Sequence, residues 1–183
     1  MRNVVLYTLM SLDGAVDDPD RYFPTFDDEM EAHLERVIAT QDTVLLGRRM
    51  YDEWSRYWPT ADPYPFRDFI NEVEKYVLTS SELTTPWTNA KVAGESVDEL
   101  VRELKAKAGG DIGVHGSVEL ARSMLRNGLI DRLSLVLGPT VSGIGRRLFD
   151  ADLYGDGDAR QLELIEARAT PSGGVLLDYR FLR

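Results

Sequence analysis

Two arginines stand directly after a glycine at the end of an apolar segment, in the order Gly47, Arg48, Arg49. A glycine lets the backbone turn sharply away from a strand. The arginines would then begin a helix, where their forked guanidinium donors lie beside the positive end of the helix dipole. This combination is suited to binding a phosphate group. The alternative is a pair of solvated surface arginines, which the motif alone does not exclude.

A second junction of the same kind carries His115, Gly116 and Ser117. The backbone N–H groups of Ser117, Val118 and Glu119 would stand free at a helix N-terminus, where amides bind anions. The alternative is a tight turn with a serine cap and no ligand. The pKa of an imidazole would suit His115 to acid–base work, but we interpret it as a strand side chain satisfied by its neighbours.

Hydroxyl and carboxylate groups mark two further junctions. Thr79, Ser80 and Ser81 follow an apolar segment, and their hydroxyls would either hydrogen-bond a phosphate or cap a turn. Asp13 and Gly14 follow the first apolar segment of the chain, where a carboxylate beside a glycine can face a ligand. An ordinary Asp-Gly turn is the alternative at that position.

Composition excludes several classes of site. The 183 residues include no cysteine, which excludes disulfides, thiolate chemistry and cysteine-ligated metals. Two histidines are too few for a multi-histidine site, so we predict no metal centre. The Gly-x-x-x-x-Gly-Lys phosphate loop and the Gly-x-Ser-x-Gly elbow are both absent. A formal net charge of -10 disfavours nucleic acid as a partner, because such a surface repels phosphate backbones.

Apolar segments alternate with helical patterns along the chain. The predicted strands are Val4–Met10, Thr43–Leu46, Lys75–Thr79, Asp111–Val114 and Leu129–Leu137, and the predicted helices begin after Thr25, at Arg48, Phe66, Ser96 and Ser117. We expect a loop over Ser55–Pro65. A turn at 170–173 predicts a C-terminal β-hairpin. Strands alternating with helices predict an α/β fold with a mostly parallel sheet.

In such a sheet, all four junctions would lie at the carboxyl ends of the strands. In open α/β sheets, ligands bind beyond the carboxyl ends of the strands, which is where each junction follows its strand. We expect one domain over residues 1–183, since domains usually hold about 100–200 residues. The N-terminal apolar run is too short to span a bilayer, so we expect a cytoplasmic protein without membrane association.

Taken in order, the motifs resemble the dihydrofolate reductase-like superfamily, and within it the reductase domain of the bifunctional deaminase–reductase of riboflavin biosynthesis. The matching segments are 10–14, 44–51, 75–80, 111–117, 128–133 and 139–149, which together span nearly the whole chain. The resemblance implies a three-layer α/β/α fold with a mostly parallel central sheet and a C-terminal antiparallel hairpin. It also implies a free-standing reductase-like domain, because the zinc ligands of a deaminase are absent.

The family binds NADPH across the sheet, and the resemblance assigns the junctions to parts of this cofactor. Arg48, after Gly47 and beside Arg49, matches the arginine that faces the adenosine 2′-phosphate. Thr79 and Ser80 match hydroxyl positions near the same phosphate.

The pyrophosphate is assigned to the second junction. Gly116, Ser117 and the amides of Val118 and Glu119 match the turn that binds it. Met50 departs from the family, which usually has a threonine there whose hydroxyl helps to hold the pyrophosphate. Methionine lacks this hydroxyl but keeps its backbone N–H, so we expect cofactor binding that is weaker but not lost.

The reacting centre is less closely specified. Asp13 and Gly14 match the loop beside the nicotinamide, and we predict that Asp13 lines the reacting centre. Reduction of a C=N or C=O group needs a proton donor. True dihydrofolate reductases carry an acid on the first long helix, and that position falls on Glu31 here. Glu31 is therefore the second candidate catalytic residue, and a solvated acid is the alternative.

Aromatic and cationic side chains are candidates for the substrate. Tyr51, Trp54 and Trp58 would either stack on a flat heterocycle or pack the loop that carries them. Arg146 and Arg147 would clamp a substrate phosphate, or else lie at the surface or in a dimer contact.

The sequence thus predicts an NADPH-dependent reductase of a small pyrimidine- or pterin-type heterocycle, similar to 5-amino-6-(5-phosphoribosylamino)uracil reductase. One alternative is a non-catalytic nucleotide-binding or structural dimer with the same fold. A true dihydrofolate reductase is a further alternative. The family commonly forms homodimers, so we expect a homodimer here.

Overall fold

A computed structural model of the chain describes residues 1–62, 65–154, 157 and 159–182. Strands and helices alternate through most of this range, as the apolar segments predict. The strands are β1 (Val4–Met10), β2 (Gln41–Gly47), β3 (Glu74–Leu78), β4 (Ala90–Ala93), β5 (Asp111–His115), β6 (Arg132–Leu137), β7 (Leu162–Ala169) and β8 (Val175–Phe181). The α-helices are α1 (Asp28–Ile38), α2 (Arg48–Tyr57), α3 (Pro65–Glu72), α4 (Val97–Ala106) and α5 (Val118–Arg126).

The strands form one sheet in the order β4-β3-β2-β5-β1-β6-β8-β7. The pairs from β4 to β6 are parallel, whereas β8 runs antiparallel to β6 and to β7. This confirms the predicted α/β fold with a mostly parallel sheet and a C-terminal antiparallel hairpin. The turn between β7 and β8 closes through Gly173 N–H donating to Thr170 O at 3.0 Å.

Helices cover both faces of the sheet, which explains why the central strands are apolar without alternation. On β2, Val44, Leu45 and Leu46 are each 0% exposed. Leu45 packs with α4 and α5, while Val44 and Leu46 pack with α1, α2 and α3. Burial of one such side chain is worth about 1.5–3 kcal/mol, so the sheet is held firmly beneath the junctions at its edge.

Helix α2 is longer than the sequence predicts. It continues to Tyr57 and is followed by a 3-10 turn over Trp58–Thr60, where we expected a loop. The ring of Trp58 stacks edge-on against Trp54 and Tyr57, with centroids 5.9 and 4.9 Å apart, and this packing stabilises the extra turn. Pro63 and Tyr64, within the same predicted loop, lie outside the described residues.

Strand β4 escaped prediction because it is short and lies at the sheet edge, with Lys91 and Val92 exposed. Helix α4 begins as predicted: the Ser96 side chain accepts from the Glu99 N–H, and the Glu99 carboxylate accepts from the Ser96 N–H. Among the described residues, no helix is long and apolar enough to cross a membrane.

Candidate functional site

The parallel sheet brings the four predicted junctions together on one side, the edge formed by the carboxyl ends of its strands. Strands β3, β2, β5 and β1 are consecutive neighbours, and they run in the same direction. Their carboxyl ends are therefore adjacent, and each carries one of the polar segments singled out in the sequence. The edge forms the candidate site.

A direct hydrogen bond joins the junctions after β2 and β5. The Gly47 N–H donates to Ser117 Oγ at 3.0 Å. Ser117 is buried, and it stands at the start of α5 without capping that helix through its side chain. Its hydroxyl oxygen is thus engaged in holding the two helix N-termini side by side, which differs from the serine cap considered above.

Arg48 is held in one orientation by three neighbours. Its Nε lies 2.9 Å from both carboxylate oxygens of Asp52, and its Nη1 donates to Ser81 Oγ and Glu82 O, each at 2.9 Å. No described residue accepts from Nη2. The side chain is 29% exposed, so the free Nη2 group is available to an anion. The structure does bring Arg48 to the hydroxyl segment after β3.

Within that segment Arg48 contacts Ser81, a hydroxyl that the sequence placed in the polar run but that the family resemblance did not assign to the phosphate. Thr79 Oγ1 lies 3.1 Å from Ser81 Oγ, while Ser80 is exposed. Ser81 followed Thr79 and Ser80 in the same polar run, and only tertiary contact distinguishes it. Arg49 points away: it pairs with Glu53 at 3.0 Å and is 74% exposed.

The junction after β5 is a tight turn built on Gly116, whose φ is +64°. A Cβ on this residue would lie 2.7 Å from the Trp54 ring and 3.1 Å from the Met50 methyl group. Only glycine fits beneath these two side chains. Met50, where the family usually has threonine, therefore packs on the turn that we assigned to a pyrophosphate.

The amides of this junction are less available than the sequence predicts. The Ser117 N–H donates to His115 O at 2.7 Å, and the Val118 N–H donates to Gly116 O at 3.0 Å. The prediction that both are free is wrong, because the chain satisfies them within the turn itself. That the Glu119 N–H is free stays a prediction.

His115 is a buried strand side chain, as we interpreted it. Its Nε2 lies 2.8 Å from Gln41 Oε1, and the rings of Phe66 and Tyr7 are 5.3 and 5.8 Å from it. Burial lowers its pKa to about 3, so the imidazole is neutral at pH 7. Its Nδ1 has no hydrogen-bond partner among the described residues, and because the ring is neutral at pH 7 it does not serve as an imidazolium acid.

Asp13 anchors a neighbouring loop. Its carboxylate accepts from Ser11 Oγ at 2.6 Å, from the Ser142 and Gly143 N–H groups at 2.8 and 2.9 Å, and from Arg147 at 2.9 Å. These hydrogen bonds, that of Ser11 first, hold the pKa of Asp13 well below its ordinary value. Asp13 is therefore ionised at neutral pH and carries no proton to transfer.

The next residue turns the chain back on itself. Gly14 has a φ of +85°, and its carbonyl accepts from the Leu148 N–H at 3.2 Å. The two arginines proposed as a phosphate clamp are both paired with aspartates: Arg147 with Asp13 at 2.9 Å and Arg146 with Asp17 at 2.6 Å. In this arrangement they stabilise the loop beside the site.

Tyr51 does not line a substrate pocket. It is 1% exposed, and its hydroxyl donates to Thr85 O. The prediction placed it with the tryptophans because all three follow Gly47, but a helix turns Tyr51 inward. Trp54 and Trp58 are half-buried, and both pack edge-on against Phe66, with centroids 5.5 and 5.0 Å away. They remain candidates for contact with a flat ligand.

Glu31 lies in the first turn of α1 and is half-buried. Helix α1 begins at Asp27, whose side chain accepts from the Met30 N–H at 3.0 Å. The described contact of Glu31 is within the helix, from its N–H to Asp27 O at 3.0 Å. Its side chain has no hydrogen bond to any junction residue in the described part of the chain.

The residues at this edge fit a dinucleotide that carries an extra phosphate. Arg48 offers a free Nη2 group beside the hydroxyls of Thr79 and Ser81, which suits a phosphate monoester. Two helix N-termini, joined at Gly47 and Ser117, lie next to it, and their positive partial charge suits a second anionic group. The edge therefore offers side-chain donors at Arg48 and, beside them, the partial charge of two helix N-termini.

Comparisons with known proteins identify the family and the fold. A model of the family described as the RibD C-terminal domain matches residues 2–176. The uncharacterized protein YyaP of Bacillus subtilis (strain 168) is 28% identical over 200 residues, covering 98% of this chain and 95% of that protein.

Two solved structures share the fold. A pyrimidine reductase-like protein from Corynebacterium diphtheriae matches with a TM-score of 0.69 and 16% identity, over 100% of this chain and 92% of that one. A diaminohydroxyphosphoribosylaminopyrimidine deaminase/5-amino-6-(5-phosphoribosylamino)uracil reductase from Thermotoga maritima matches with a TM-score of 0.72 and 15% identity. That match covers 99% of this chain and 57% of that one.

Proposed function

The chain belongs to the family of RibD C-terminal domains, a reductase family of riboflavin biosynthesis, and from this premise we propose that it is an NADPH-dependent reductase of a small pyrimidine- or pterin-type heterocycle. The proposed reaction is similar to that named for the Thermotoga maritima reductase. The observation that carries the proposal is the orientation of Arg48, with Nη2 free and Nη1 hydrogen-bonded to Ser81 and Glu82.

The 2′-phosphate and the pyrophosphate of the cofactor would each be held by residues of this chain. Arg48, Thr79 and Ser81 would bind the 2′-phosphate. The N-terminus of α5, through its positive partial charge and the Glu119 N–H, would receive the pyrophosphate. NADPH supplies the hydride when bound.

The chain itself would position the heterocycle and deliver a proton. Trp54 and Trp58 present half-buried rings for a flat substrate. Asp13, ionised and fixed by four hydrogen bonds, contributes a fixed negative charge and rigidity beside the reacting end. Glu31 is the proposed proton donor, because it stands near the amino end of α1, at the same edge of the sheet.

The proposal is tested by titrating NADPH and NADH and following tryptophan fluorescence. A charge-assisted bond to the 2′-phosphate is worth about 1.5–3 kcal/mol. We therefore expect Arg48→Ala to lower the preference for NADPH over NADH by about 10-fold or more, with NADH binding little changed. Arg56→Ala is the matched control, since Arg56 is an exposed arginine on the same helix. An unchanged preference in Arg48→Ala would remove Arg48 from the site.

A non-catalytic nucleotide-binding protein is the second candidate. Met50 and Trp54 pack over Gly116, and the Ser117 and Val118 amides are already engaged. This arrangement favours weaker or differently placed pyrophosphate contacts. Saturable NADPH binding without oxidation of NADPH by any pterin or pyrimidine substrate would favour this candidate, whereas steady turnover would exclude it.

We also propose, from the family resemblance, that the chain forms a homodimer. A light-scattering mass of twice 20.6 kDa would bear this out.

A further inference from the structure

Both arginines at the start of α2 are paired with acids one turn further along the helix. Arg48 pairs with Asp52 at 2.9 Å, and Arg49 pairs with Glu53 at 3.0 Å. Arg48, the cation of the candidate phosphate site, and its exposed neighbour Arg49 are therefore each matched by an anion on the same helix. An approaching phosphate meets a region with no net positive side-chain charge, on a chain whose formal net charge is -10.

The two pairs differ in their exposure to solvent. Arg49 and Glu53 are 74% and 53% exposed, so water and salt screen their charges. Arg48 and Asp52 are 29% and 32% exposed, and their interaction is screened less. Asp52 is thus the acid whose charge would be felt most strongly by a phosphate bound at Arg48.

Asp52 acts on Arg48 in two opposite ways. Its carboxylate accepts from Nε through both oxygens, which helps to orient the guanidinium with Nη2 outward. Its negative charge also repels any phosphate that Nη2 binds. The orientation does not depend on Asp52 alone, because Ser81 Oγ and Glu82 O hold Nη1 at 2.9 Å each. We therefore expect repulsion to be the larger effect of Asp52.

We propose that Asp52 is a specificity-determining residue that lowers the preference for NADPH, so that the chain also accepts dinucleotides without the 2′-phosphate. This inference rests on the proposed function, since it concerns the same cofactor site. The inference predicts that the wild type prefers NADPH over NADH only weakly, at the lower end of the range that one arginine–phosphate bond would give.

The test compares Asp52→Asn with the wild type in fluorescence titrations of NADPH and NADH. Asparagine removes the charge and keeps one oxygen that can accept from Arg48 Nε, while its NH2 group replaces the second oxygen. A nearby like charge typically changes a binding or ionisation equilibrium by about tenfold, and less when it is partly exposed. We expect Asp52→Asn to tighten NADPH binding about fivefold to tenfold and to leave NADH binding unchanged.

Salt provides a second readout that a merely structural role would not produce. Repulsion between Asp52 and a phosphate is screened by ions, so the advantage of Asp52→Asn should shrink between low and high salt. Glu163→Gln is the matched control. It removes one negative charge from β7, at the far end of the sheet from α2, where Glu163 pairs with Arg180. We expect no change in either dinucleotide affinity for this variant.

The possible outcomes separate the inference from the proposed function. If the wild type prefers NADPH through Arg48 but Asp52→Asn binds it equally or more weakly, Asp52 only positions Arg48 and the inference is overturned. If Glu163→Gln tightens NADPH binding as much as Asp52→Asn does, the effect is one of net charge, and the inference is again overturned. If the wild type binds neither NADPH nor NADH, the proposed function itself fails.

Discussion

The junctions after β2 and β5 are neighbours, yet they present their donors differently. The first depends on side chains: Arg48 is oriented by Asp52 and Ser81, and it keeps one group of N–H donors free. The second depends on the backbone: Gly116 adopts a φ of +64° beneath Trp54, and two amides are satisfied within the turn. Both junctions have the same glycine-to-helix pattern in the sequence.

This difference predicts whether a substitution at each junction affects mainly ligand binding or mainly stability. A side-chain site can gain or lose a charge without moving the backbone, so its substitutions should alter binding more than stability. A backbone site is limited by sterics and by φ, so its substitutions should alter stability first. Three substitutions at the junction after β5 test the second expectation, in order of decreasing expected effect.

Gly116→Ala should give the largest loss of stability. A non-glycine residue at positive φ costs about 1–2 kcal/mol, and overpacking against Trp54 and Met50 adds about 1–3 kcal/mol. We expect the free energy of unfolding in urea to fall by about 2–5 kcal/mol. Gly128→Ala is the control, because Gly128 has a φ of +65° with nothing within 4 Å of an added Cβ. Equal losses in both variants would mean that Trp54 and Met50 do not constrain the junction.

His115, the last residue of β5, should make the stability depend on pH. Its pKa is about 3 in the folded chain and about 6.5 when unfolded. Below pH 6.5 the unfolded chain therefore takes up a proton that the folded chain does not. Stability falls by about 1.4 kcal/mol per pH unit in this window, or about 2 kcal/mol between pH 7.5 and pH 5.

His115→Gln should remove this part of the acid sensitivity in urea unfolding at pH 7.5, 6 and 5. His33→Gln is the comparison, because burial also lowers the pKa of His33, and that variant should keep the part due to His115. Parallel pH profiles for the wild type and His115→Gln would show that His115 is protonated as readily in the folded chain as in the unfolded one.

Ser117→Ala should have the smallest of the three effects. It removes the acceptor of the Gly47 N–H at a buried position, and a lost hydrogen bond of this kind costs about 1–2 kcal/mol. Because this bond joins the two junctions, we also expect weaker NADPH binding. Ser123→Ala on the same helix is the control and should change stability by less than about 0.5 kcal/mol. A neutral Ser117→Ala would show that the junctions hold together without this bond.

Much of the fold follows from local patterns. The unbroken apolar runs of β1 and β2 predict strands covered on both faces, and both are buried on both faces. The Ser96 and Glu99 pair predicts the start of α4, and the turn at 170–173 predicts the hairpin. These signals succeed because each depends on residues close together in the chain. Strand β4 lacks such a signal, since only edge pairing with β3 makes it a strand.

The residue types at the site could also be predicted from the sequence. Gly47, Arg48, Thr79 and Gly116 lie at strand ends, and a parallel sheet must bring those ends to one edge. The resemblance to a known family added the cofactor to this arrangement, and the family is confirmed. The roles of individual site residues stay predictions.

Tertiary structure alone decided which groups remain available to a ligand. Asp13 and Arg48 are both charged residues at strand ends, but four donors saturate Asp13, while Arg48 keeps Nη2 free. The buried Tyr51 hydroxyl donates to Thr85 O, and the Ser117 and Val118 N–H groups donate to carbonyl oxygens of their own turn. Hydrogen bonds and burial depend on neighbours that are distant in the sequence or on the exact path of a turn. For this reason the sequence by itself determined which residue types lie at this edge, and only the tertiary structure decided which of their donors and acceptors remain available to a ligand.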